Sequence, residues 1–186
     1  MNLGSLKKGN RSYSDKGSVM KALSDKNIAT LREISNYFYQ TNGLYEKACN
    51  TIATMYRYDW YLVPEIFDES YPEEKILKEF YNLLHYLDNS YIKKICADIA
   101  LKVVVEGAYY GYMVDNGTSM GLQELPIGYC RSRYSVGNLP AVEFDMRFFD
   151  QQFPDVNYRM RVLKLFPAEF AKGYALYKQG KLQPDF

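Results

Sequence analysis

Apolar residues recur along this chain with two different periods, and the change comes near residue 108. From Thr30 to Tyr39, Leu31, Ile34 and Phe38 stand at i, i+3 and i+7, the spacing of one helix face. Thr41-Asn42-Gly43 interrupts, and Leu44, Ala48, Ile52 and Met55 or Tyr56 then predict a second helix over Leu44 to Tyr56. Tyr61-Leu62-Val63-Pro64 reads as a short extended piece, which Pro64 confines to an edge or a strand end. Ser70-Tyr71-Pro72-Glu73 is a helix start, with a capping Ser, Pro in the first turn and acids at the positive end of the dipole. Ile76, Leu77, Phe80, Leu83, Leu84 and Leu87 supply that helix with a broad apolar stripe. Asp88-Asn89-Ser90 closes it and caps the next, whose stripe of Ile92, Ile95, Cys96, Ile99 and Val103 runs to Gly107. The two make an αα-hairpin with a tight link.

Beyond Ala108 the period is two. Tyr110 to Val114 and Leu122 to Leu125 predict paired strands around the turn Asp115-Asn116-Gly117. Ile127 to Ser132 and Ala141 to Asp145 are further extended pieces, linked through Val136-Gly137-Asn138. Short helices follow over Met146 to Phe153, Asp155 to Leu163 and Pro167 to Lys178. The pattern predicts an α+β fold: N-terminal helices, an αα-hairpin, a small antiparallel β-sheet and short C-terminal helices.

Charge sets the first residues apart. Met1 to Arg32 holds seven bases against two acids, an excess of five in a chain whose net charge is +1. Rich in Ser, Gly, Asn and Lys, residues 1–27 read as a flexible basic arm, either solvated or gripping a neighbouring subunit or an acidic surface. Residues 28–186 read as a single α+β domain; at this length about two-thirds of the unfolded chain's surface is buried on folding. A mean hydropathy of −0.37 with no apolar run near the roughly 20 residues of a membrane span predicts no membrane partner. The start also lacks the apolar core of a secretory signal.

Candidate chemistry changes little. Cys49, Cys96 and Cys130 are an odd set without CxxC spacing, which excludes a disulfide framework and argues against zinc. His85, the single histidine, has no carboxylate at a ligand spacing and reads as a core or interface residue. Two arginines beside Cys130 lower a thiol pKa in principle, yet a small buried residue at a strand end explains it better. Glu143 and Asp145 share a strand face and could hold a cation, but Glu143 reads better as a cross-strand partner of Arg131 or Arg133. Gly107 and Gly111 follow a helix and precede a strand, the reverse of a P-loop, so they read as a helix cap and a strand bend. No catalytic, cofactor or metal site is predicted, and the chain does not read as an enzyme. Arg131, Arg133, Arg147, Arg159 and Arg161, with Lys7, Lys8 and Arg11 of the arm, are candidate contacts to a neighbouring subunit or to phosphates. The outlier in composition is aromatic, with 19 Tyr and 10 Phe, which suits half-buried surfaces and interfaces.

Two segments carry a resemblance. Leu31-Arg-Glu-Ile-Ser-Asn-Tyr-Phe-Tyr-Gln-Thr-Asn-Gly-Leu-Tyr45 with Tyr58-Asp-Trp-Tyr61 and Pro64 resembles the N-terminal part of tailed-bacteriophage portal proteins, the head-tail connectors. Val104-Val-Glu-Gly-Ala-Tyr-Tyr-Gly-Tyr112, Leu125-Pro126, Tyr129-Cys-Arg131, Glu143-Phe-Asp145 and Phe148-Phe-Asp150 are similar to the wing region of that family. The resemblance implies a virion structural protein, present in the host cytoplasm during assembly. It implies a homo-oligomeric ring of about a dozen copies, a dodecamer in the typical case, whose closure needs two different complementary patches per subunit. The implied partners are further copies of the chain, capsid and tail or adaptor proteins, the packaging ATPase, and double-stranded DNA held without sequence preference. On this reading the chain is an N-terminal portion of a larger portal, and the Tyr and Phe side chains join identical copies. The alternative class is a small adaptor or regulatory protein of a phage or mobile element, binding one protein partner through a Tyr-rich face.

Overall fold

A computed structural model describes residues 16–55, 61–63 and 72–182. Among them lie eight α-helices and three two-stranded antiparallel ladders, an α+β fold. The chain divides between Glu124 and Leu125 into two compact units, where the sequence predicts one domain from residue 28 onward. Leu125 and Pro126 end the period-two segment, and the residues beyond them build a separate aromatic core.

The first unit is helical. The basic segment expected to be an arm to residue 27 contains α1, Lys16–Ser24, which packs on α2 with Ala22 buried. Its lower half, with Lys7, Lys8 and Arg11, lies outside the described residues. Asn27 caps α2, Ile28–Thr41, by accepting the Thr30 amide at 3.1 Å. Asn42 both ends α2 and starts α3, Gly43–Met55, accepting the amides of Leu44 and Tyr45 at 3.1 Å each. α4 spans Glu73–Asn89 from Pro72, and the Ser70 and Tyr71 of its predicted start lie outside the described residues, as do Tyr58, Asp59, Trp60 and Pro64. Tyr61 to Val63, expected to be extended, has no regular structure.

Ser90 ends α4 by donating to Tyr86 O at 2.6 Å, but it does not cap α5, Ile92–Glu106. Tyr91 takes that place in a left-handed conformation (φ 51°), because only a tight reversal fits between two nearly contiguous helices. The Ser90 hydroxyl turns instead to β2, accepting the Met120 amide at 2.8 Å.

α5 is the central strut, packed by α2, α3 and α4, with a charged stripe of Lys94, Asp98, Lys102 and Glu106 along one side. Its C-terminal carbonyls, which lack intrahelical donors, are taken up by α2: Arg32 Nε donates to Glu106 O at 2.8 Å and Ser35 Oγ to Val105 O at 2.5 Å. Gly107 then leaves the helix at φ +80°, a left-handed conformation that favours glycine. Gly111 opens β1, Gly111–Asp115; the Tyr109 ring lies where its side chain would be. β1 pairs with β2, Met120–Glu124, from Gly111 opposite Glu124 to Asp115 opposite Met120. Lys102 of α5 reaches Glu124 at 2.9 Å and Glu106 at 3.4 Å, tying the hairpin to the strut.

The second unit begins with a 3₁₀ turn at Ile127–Tyr129 and β3, Cys130–Arg131. β3 pairs with β6, Glu143–Phe144, and the stretch of chain joining them holds a second hairpin of β4, Ser135–Val136, with β5, Leu139–Pro140. α6 (Arg147–Gln152), α7 (Val156–Leu163) and α8 (Ala168–Lys178) follow. Phe148, Phe149, Phe153, Phe166 and Phe170 are buried, and Phe149 is wholly enclosed. Its ring meets those of Phe166, Phe148 and Tyr174 edge-on at 5.1–5.6 Å, the geometry that aligns a positive ring edge with a negative face.

Candidate functional site

Helix α3 places its small residues inward. Cys49 and Ala53 are 2% and 3% exposed, and their size lets α5 approach closely. The stripe that marks this helix in the sequence is a different one: Leu44, Ala48, Ile52 and Met55 are all exposed, Leu44 at 80%. The remaining face, Gly43, Glu46, Lys47, Asn50, Thr51 and Thr54, lines an open hollow of about 400 Å³. Walls from one helix cannot surround a ligand, so this hollow carries no binding chemistry.

α4 is amphipathic yet buries no residue. Ile76, Phe80, Leu84 and Leu87 are half-buried, while Leu77, Tyr81 and Leu83 stay open. The first unit therefore carries uncovered apolar side chains on several helices, α3 and α4 among them, the signature of a contact surface. Sequence periodicity finds both stripes but cannot tell which lies inside.

The arginines do not form an open basic patch. Arg159 is 9% exposed, and its guanidinium bonds Asp150, the Tyr174 hydroxyl at 2.9 Å and Pro154 O at 2.9 Å. Tyr174 and Lys178 also hold Asp150, each at 2.7 Å, so the network joins α6, α7 and α8. Arg147 closes on Asp145 at 2.6 Å, and that carboxylate, 4% exposed, also accepts the Arg147 amide at 2.9 Å. Arg133 pairs with Glu143 at 3.4 Å, and Arg131 stands opposite Glu143 in the ladder. Arg161 is exposed on α7. Three of the five predicted contacts thus have their charge answered within the second unit, with Arg159 serving the core. Acidic partners lay in the same short segments, at Glu143, Asp145 and Asp150, which was the available signal.

His85 is exposed on α4, neither core residue nor ligand among the described residues, where no group of three His, Cys, Asp or Glu side chains gathers. Cys130 is buried, and burial pushes its thiol up to about 12. At neutral pH it is protonated, the form that is a poor nucleophile. Glu143 and Asp145, weighed as a cation site, are each engaged by an arginine.

The aromatic excess divides by type. Phenylalanines fill the core of the second unit, contrary to the expectation that they join copies. Tyr61, Tyr81, Tyr91, Tyr134 and Tyr158 are each more than half exposed. No described helix is long and apolar enough to cross a membrane. No protein-family model matches the chain, and neither a curated protein nor a solved structure proved similar to it.

Proposed function

We propose that this chain is a subunit of the ring-shaped portal vertex of a tailed bacteriophage, a virion structural protein through which double-stranded DNA is packaged and ejected. The portal-like segments of the sequence supply the class. The observation that carries assembly is the uncovered apolar side chains on α3 and α4 of one unit. A closed ring of more than two copies needs two unlike patches on every subunit, whereas a two-fold dimer needs one self-complementary patch. Exposed tyrosines suit such contacts, offering apolar area with a polar tip and little rotamer entropy to lose.

DNA in such a channel would be met at its phosphates, with a steep salt dependence. Arg161, exposed on α7, is one member of the arginine set placed for that role. The test is negative-stain microscopy and sedimentation of the full-length gene product. Annular particles with a central hole are expected. A strictly monomeric species at tens of micromolar overturns the reading, and one stoichiometric foreign protein bound without self-assembly favours an adaptor.

A further inference from the structure

α4 has a flank on which Glu74, Leu77, Tyr81 and Asp88 fall together, at i, i+3, i+7 and i+14. Leu77 is 44% and Tyr81 61% exposed, so the flank carries two apolar side chains between acids at its ends, with Lys78 and His85 along one border. α1 carries the reverse. Lys16, Met20 and Leu23 stand at i, i+4 and i+7, with Lys26 just past the helix end; Met20 and Leu23 are 56% and 52% exposed. Ala22, on the other side of α1, faces α2. No ion pair among the described residues engages Lys16, Lys26, Glu74 or Asp88.

We infer that α1 of one copy docks along the Glu74–Asp88 flank of α4 on the next. Met20 and Leu23 cover Leu77 and Tyr81, and Lys16 and Lys26 meet the acids at the two ends. The occupant follows from charge: α1 holds Lys16 and Lys21 and no acid, while α4 has four acids against Lys75 and Lys78, whereas α3, with one Glu and one Lys, has no such bias. A run running antiparallel brings Lys26 to Glu74 and Lys16 toward Asp88, with the helix dipoles opposed. The contact is heterologous, one surface of each copy meeting a different surface of its neighbour, as a ring requires. The inference rests on the self-assembly proposed above and names its surfaces.

Two charge-reversed full-length proteins test it: Lys16→Glu with Lys26→Glu, and Glu74→Lys with Asp88→Lys. All four positions are exposed, and circular dichroism checks that each variant keeps its helices. Each variant alone should need about tenfold or more protein to reach half-assembly in sedimentation, since like charges then face each other. An equimolar mixture should assemble like the parent, because every α1–α4 pair in an alternating ring is again opposite in charge. A parent that assembles while both variants match it overturns this docking and leaves the ring intact. Loss of assembly without rescue in the mixture also overturns it. A parent that never self-associates removes the ring reading, and the docking with it.

Discussion

Arg159 is the sharpest place to separate a binding arginine from a structural one. Its guanidinium is buried against Asp150, Tyr174 and Pro154 O, whereas Asp150 keeps a second cation, Lys178, at 2.7 Å. Removing one partner of a buried ion pair costs about 3 to 5 kcal/mol, because the other charge is left desolvated. The two sides are not equivalent here. Asp150→Ala strands a buried guanidinium with only neutral acceptors and belongs at the upper end, about 4 kcal/mol or more. Arg159→Met leaves a carboxylate that still holds Lys178 and the Tyr174 hydroxyl, so its loss falls nearer 2 to 3 kcal/mol. Combining Asp150→Leu with Arg159→Met should restore more than half of the larger loss, since no buried charge then remains and the half-exposed Lys178 turns to water. Urea unfolding of the full chain, followed by near-ultraviolet dichroism of the second unit's aromatics, reads all three. Losses within about 0.5 kcal/mol for both single variants, as at an ordinary surface position, would refute the reasoning. So would an Arg159→Met cost above that of Asp150→Ala.

Further outcomes follow from the same geometry. Phe149→Ala should cost about 3 to 5 kcal/mol by emptying the centre of the aromatic core; a change below 1 kcal/mol in the same urea assay contradicts the packing. Gly107→Ala should lower stability by about 1 to 2 kcal/mol through its left-handed φ alone, since a methyl there touches nothing within 4 Å; an unchanged melting curve would count against this. Alkaline pH should weaken the fold. Burial raises Cys130 to about 12 from an ordinary 9.0, and burial followed by the Glu124 charge raises Tyr109. For Lys102, burial acts downward, but Glu124 and Glu106 outweigh it and hold the ammonium above its usual value. Each folded-state value is raised, so each contribution is whole below the unfolded value and is lost as pH climbs through the folded one. Stability should therefore fall from about pH 9, at up to about 1.4 kcal/mol per pH unit for each proton, and Cys130→Ala should flatten the stretch from 9 to 12. Identical profiles for parent and Cys130→Ala would discard the buried thiol as a cause.

Local patterning determined the order and kind of most elements, although it missed α1 within the basic arm and made Tyr61 to Val63 extended. Asn27 and Asn42 cap α2 and α3, Gly107 ends α5, and Asp115-Asn116-Gly117 turns the first hairpin, because each acts through atoms a few residues away. The α+β class and the cross-strand placement of Arg131 against Glu143 follow from the same short-range rules. Tertiary structure alone decided which apolar face went inside. In α3 the small side chains Cys49 and Ala53 won the interface with α5, because backbone approach gains more contact there than the larger Leu44 and Ile52 allow, and periodicity is blind to that choice. It also decided that the phenylalanines of the second unit fill a core, that its arginines close on nearby carboxylates, and that the chain packs about two centres. These outcomes depend on residues meeting across helices, where burial of an unpaired charge costs too much to leave to solvent-facing chance.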